Sequence, residues 1–162
     1  MNKLPRTGIG YDVHAFDARK PLKLGGVHIP GEAGLKGHSD ADVLIHAIID
    51  ALLGAAASGD IGYHFPDTDP QYKDADSRGL LRATLEILAG RGFKIGNIDA
   101  TVMAQQPKMT PHIPEMRKTI ASDLGLKLPD VSVKATTTEK LGFVGRSEGM
   151  ASIATVLIYS EE

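Results

Sequence analysis

The chain has 162 residues, 42% of them hydrophobic and 23% charged, with a net charge of -2, a balance that suits one soluble domain able to bury its own core. A near-neutral surface supplies no general field for a polyanion, so nucleic acid held through its phosphates is excluded as a partner, and no run of 18 apolar residues exists to cross a membrane. Cysteine is absent, which excludes disulfides, thiolate metal sites and a cysteine nucleophile; with no apolar signal core near Met1, the cytoplasm is the expected location.

Alternation and β-branching predict a strand over 7–13 and another over 22–27 that stops at Pro30. The stretch 40–57 lacks proline and is rich in Leu, Ile and Ala, so it predicts a buried helix with Ser39 or Asp40 as N-cap. Residues 59–74, with prolines and glycines among repeated aspartates, predict a long functional loop. Leu80, Leu81, Leu85 and Leu88 recur at helical spacing and predict a helix over 75–89 stopped by Gly90. A third helix is expected over 113–124, and strands over 95–104, 131–136 and 151–159. The expectation is an α+β fold: one domain over 1–162, a four-stranded mixed sheet covered by helices on one face.

Two places carry candidate chemistry. Asp12 and His14 are two apart on a predicted strand, so carboxylate and imidazole share a face. Asp42, His46 and Asp50 form an i, i+4, i+8 polar stripe on an otherwise apolar helix, and buried polar groups need partners. Asp12, His14 and His46 together would make a three-ligand zinc site with a fourth position open. Taken singly, an Asp-x-His on a strand is more often an ordinary surface pair and a helical histidine beside Asp50 more often a hydrogen-bonded core residue, and spacing leaves the choice open. Asp50, one turn after His46, is placed to accept the ring N–H not used by a metal. His28, His64 and His112 have no such context and read as structural or exposed.

No Walker A motif is present, and Gly8 and Gly10 do not open a helix with dinucleotide-binding spacing. Asp60, Asp67 and Asp69 do not fit an EF-hand.

The strings DVHAF, GHSDADVLIHAIIDALLGAAASGDIG, FPDTDP, ADSRGLL, PKM and VKATTTEKLGF occur in order along nearly the whole chain. In these the sequence resembles the 2-C-methyl-D-erythritol 2,4-cyclodiphosphate synthase family. The resemblance implies conversion of 4-diphosphocytidyl-2-C-methyl-D-erythritol 2-phosphate to the cyclic diphosphate with release of CMP, a phosphorus–oxygen lyase step of the non-mevalonate isoprenoid pathway. It makes Asp12, His14 and His46 zinc ligands, and Glu139 the carboxylate that helps hold magnesium or manganese.

By the same resemblance, Asp12, His14, His38, Ser39, Asp60, Ile61, Gly62, Phe65, Pro66, Asp67, Thr68 and Asp69 would face the methylerythritol phosphate and diphosphate. Ala104, Gln105, Gln106, Pro107, Lys108, Met109 and Thr110, with Thr136, Thr137, Thr138 and Glu139, would hold the cytidine and its phosphate. His38 and Thr137 would stabilise the transition state. The resemblance also implies a homotrimer with sites shared between subunits, and places Phe143 and Arg146 at an axial cavity for an isoprenoid diphosphate. Read alone, Arg146 is as well explained by a surface salt bridge. Two other readings use the same residues: a zinc phosphohydrolase, in which water attacks, and a non-catalytic isoprenoid-diphosphate sensor.

Overall fold

The computed structural model describes residues 4–160. Its first two strands, β1 (Arg6–Leu24) and β2 (Val27–Leu35), form an antiparallel hairpin, with Leu24 opposite Val27. Gly25 and Gly26 make the turn, with φ of 61° and 75°, the positive pair that suits a two-residue hairpin loop and that glycine adopts freely. The expected 22–27 strand is therefore the end of one strand plus a turn. Pro30 does not stop the chain, because β2 lies at the sheet edge, where a missing N–H costs no ladder bond.

Three more strands complete the sheet: β3 (Phe93–Met103), β4 (Val131–Thr136) and β5 (Gly149–Ser160). The order β2-β1-β5-β3-β4 makes five strands rather than the expected four, and only β3 and β4 run parallel. The helices are α1 (Val43–Ala55), α2 (Ile61–His64), α3 (Ser77–Gly90), α4 (Ile113–Leu124) and α5 (Gly142–Gly145). The α+β expectation holds. The 59–74 loop is partly ordered by α2 and by a short 3-10 turn, Pro70–Tyr72. Among the described residues, no helix is long and apolar enough to cross a membrane.

The core forms around α1, which is apolar on nearly every side and lies across β1, β5 and β3. Its N-cap is Asp42, not Ser39 or Asp40. The Asp42 carboxylate is fully buried and accepts N–H bonds from Ile45, Gly25 and Gly26, tying the helix start to the hairpin turn. On the strand below, a Cβ at Gly8 or Gly10 would overlap the carbonyl oxygens of Ala51 or Ala47. The GIG string thus serves close helix-on-strand packing. Ile9, Tyr11 and Val13 point to the opposite, helix-free face and are 66%, 53% and 44% exposed.

Candidate active site

Asp12 and His14 follow Gly8 and Gly10 along the face of β1 that meets α1, and the close helix approach brings His46 to them. Asp12 Oδ2 is 3.0 Å from His14 Nε2 and 3.1 Å from His46 Nδ1, and the two nitrogens are 3.4 Å apart. Donor atoms around a tetrahedral zinc, with bonds of about 2.0–2.2 Å, are separated by roughly 3.3–3.5 Å. The donor set fits that ion: the two nitrogens already stand at this spacing, and the carboxylate oxygen lies a few tenths of an ångström closer to each.

The other ring nitrogens agree with this. His14 Nδ1 is 2.7 Å from the Lys36 carbonyl oxygen, which can only accept, so this nitrogen carries a proton and Nε2 is the one that would offer a lone pair to a metal; in the metal-free chain Nε2–H donates to Asp12. His46 Nε2 faces Ser77 Oγ at 2.9 Å and Ser39 Oγ at 3.2 Å. Asp50 is not the partner of His46: its Oδ1 accepts the Ile61 N–H at 2.8 Å, at the start of α2, where a backbone donor lacks a helical acceptor. Burial would push the Asp12 carboxyl up, but hydrogen bonds from His14 and His46 outweigh it and hold it below the usual range. For His14, burial favours the neutral ring, and Asp12 overrides it and raises the pKa.

The cluster opens into a cavity of about 310 Å³ lined by Asp12, His14, His38, Ser39, His46, Ile61, Gly62, Phe65 and Asp67, all expected from the sequence, together with Leu80. Segment 38–40 is fastened to the start of α3 by Asp74 N–H to His38 O at 2.9 Å and Asp40 N–H to Ala75 O at 3.2 Å. Phe65 stacks edge-on against Tyr72, with ring centres 5.5 Å apart, which anchors the 65–69 run. Asp60 and Asp69 do not line the cavity. They cap α2 and the 3-10 turn, accepting from Tyr63 N and Gln71 N at 2.9 and 3.0 Å. Pro66 is half-buried and Thr68 exposed on the same run.

The remaining expected residues form a second group at the ends of β3 and β4. Ala104 N–H bonds to Thr136 O at 3.0 Å, and Lys140 N–H approaches Gln105 Oε1 at 3.4 Å. Ala104 and Met109 place their side chains in the core and leave only backbone for a ligand; Lys108 and Thr110 are exposed. Gln106 and Pro107 line a separate cavity of about 250 Å³ with Phe16, Glu32, Ala33 and Ser147. Thr136, Thr137 and Glu139 are exposed and Thr138 half-buried. Glu139 has φ of 55°, and its N–H approaches Thr137 Oγ1 at 3.3 Å.

None of these residues lines the cavity of the metal cluster. Within one chain, His38 and Thr137 are therefore parts of different groups. Phe143, on α5, is 37% exposed, and Arg146 pairs with Glu148 at 3.0 Å.

The fold and the Asp/His/His cluster define a candidate metal-dependent enzyme of the α+β class. The YgbB family profile matches residues 5–159, and the chain belongs to that family. It is 63% identical over 153 residues to the 2-C-methyl-D-erythritol 2,4-cyclodiphosphate synthase of Geobacter sulfurreducens, an alignment covering 94% of this chain and 98% of that relative. Among solved structures, the bifunctional IspDF of Campylobacter jejuni superposes with a TM-score of 0.95 at 47% identity; the match covers 99% of this chain and 44% of that longer one. The IspF of Plasmodium falciparum, solved as a CDP complex, gives 0.85 at 35% identity, covering 98% and 97%.

Proposed function

We propose that the chain converts 4-diphosphocytidyl-2-C-methyl-D-erythritol 2-phosphate to 2-C-methyl-D-erythritol 2,4-cyclodiphosphate and CMP. The Asp12, His14 and His46 cluster carries this reading, in a chain that aligns with a synthase of that name over nearly its full length. CDP bound to a solved relative supports a cytidine-linked substrate.

In the reaction the 2-phosphate oxygen bonds to the β-phosphorus, the bond from that phosphorus to the α-phosphate oxygen breaks, and CMP departs with the electron pair. No water is consumed. A phosphate monoester has a second pKa near ~6, so the nucleophile is already ionised at neutral pH and needs no strong base. What remains is anion repulsion and orientation.

Zinc held by Asp12, His14 and His46 would supply neutralisation and alignment of phosphate oxygens. His38 and Ser39, on the segment fastened to α3, would position the diphosphate, and the 60–62 and 65–69 segments would enclose the methylerythritol. Glu139 would hold magnesium or manganese together with substrate phosphates, since such ions are commonly bound by one or two carboxylates plus phosphate. Thr137 would donate to the phosphate that gains charge as CMP leaves.

The resemblance to the synthase family implies a homotrimer, and two observations support a site shared between chains. The metal cavity and the 104–110 and 136–139 group do not meet within one chain, and Ile9, Tyr11 and Val13 form an apolar stripe on the helix-free face. One subunit would supply the metal side and its neighbour the nucleotide side. Phe143 and Arg146 would face an isoprenoid diphosphate on the threefold axis.

Turnover in 18O-labelled water tests the chemistry. Cyclisation leaves all phosphate products unlabelled, whereas incorporation of one label with open-chain product would establish a hydrolase, and tight binding without CMP release a sensor.

A further inference from the structure

Nε2, on the far side of the His46 ring, meets groups outside the metal cluster. Ser77, fully buried at the first turn of α3, donates its hydroxyl proton to Asp40 Oδ1. Asp40 Oδ2 accepts the Ser77 N–H at 3.0 Å, and Oδ1 also accepts the Asp42 N–H at 3.2 Å, so the carboxylate is fixed by backbone on two sides. An ionised carboxylate only accepts. The Ser77 proton is thus committed to Asp40, and the Ser77 oxygen 2.9 Å from His46 Nε2 is left as an acceptor.

We infer that Ser77 and Asp40 are positioning residues for metal binding: the chain His46 Nε2–H to Ser77 Oγ–H to Asp40 holds the proton on Nε2 and presents the Nδ1 lone pair to the ion. Ser39 explains why a lock is required. Its hydroxyl, 3.2 Å from the same nitrogen, can donate as well as accept, and its oxygen takes the Ala41 N–H at 3.2 Å. Asp12 Oδ2, 3.1 Å from Nδ1, draws the proton to that side, and with Ser77 gone Ser39 can donate to Nε2, so both favour the Nδ1–H tautomer and turn the metal-facing nitrogen from ligand into donor. The lock also links the metal ligand to segment 38–40, which borders the substrate cavity.

The inference rests on the metal reading, and zinc affinity measured by competition with a chromophoric chelator separates the two. Ser77→Ala and Asp40→Asn, the second isosteric but able to donate and so to reverse the chain, should each weaken zinc by roughly 10–100-fold. The double variant should be no weaker than the weaker single one, and Ser77→Thr should remain near wild type. In zinc-loaded protein the His46 Nε2–H proton signal should exchange slowly, and Ser77→Ala should speed that exchange. Wild-type affinity in folded Ser77→Ala, or effects that add in the double variant, would overturn the inference alone. If Asp40→Asn does not fold, the two Ser77 variants decide it. Wild-type protein that takes up no zinc would overturn the metal reading and this inference together.

Discussion

Gly10 on β1 lies directly beneath the carbonyl oxygen of Ala47 on α1, so close that a methyl group on its Cα would overlap that oxygen. Ala47 follows His46, so this contact sets the height of the metal ligand above Asp12 and His14. Overpacking a tight interface costs about 1–3 kcal/mol. Gly10→Ala should lower stability by about that amount in a denaturant titration. It should also weaken zinc binding, because His46 is lifted from its partners. Undiminished stability and zinc affinity would show that α1 has room to move.

Asp50 shares a helix face with His46 by spacing, yet its carboxylate holds the Ile61 N–H. Asp50→Ala should leave zinc affinity within about threefold of wild type while losing one charge-assisted hydrogen bond, about 1.5–3 kcal/mol at most. The loosened 60–62 turn should appear as a raised KM. Loss of zinc at unchanged KM would return Asp50 to the metal centre.

The exposed stripe of Ile9, Tyr11 and Val13 predicts an interface between copies of the chain. Ile9→Asp should reduce the mass measured by light scattering from three chains towards one. It should abolish most CMP release and spare zinc uptake, which needs only one chain. Full activity in a monomer would contradict the shared site.

Asp123 on α4 receives Arg78 at 2.8 and 3.0 Å and Arg82 at 2.9 Å from α3. Burial would raise its carboxyl pKa, but the two guanidinium partners outweigh that and lower it. The folded value lies below the unfolded one, so this stabilisation is complete above about pH 3.9 and is lost as pH falls through the folded-state pKa. Asp123→Asn should melt lower than wild type at pH 7, with the gap closing below about pH 4. A gap independent of pH would assign the loss to packing.

The sequence shows some elements to the residue and hides others for identifiable reasons. The expected 113–124 and 131–136 segments coincide with α4 and β4, where apolar period and breakers agree, Gly125 closing α4 in the left-handed conformation. The first hairpin is misread because Pro30 suggests a stop, although the Gly25–Gly26 pair is itself the signal of a two-residue turn. Asp12, His14 and His46 are legible as a ligand set only through resemblance, since spacing alone also allows ordinary pairing. Asp40 and Ser77 are 37 residues apart, and no local pattern links them. The division of the expected site residues into two groups likewise depends on strand order, which periodicity does not encode.

The most direct test of the account is phosphorus NMR of the purified protein with the diphosphocytidyl substrate, zinc and magnesium, beside His46→Ala. Wild type should give cyclic diphosphate and CMP in equal amounts, with zinc content and turnover lost together in the variant. Turnover that survives in zinc-free His46→Ala would contradict it.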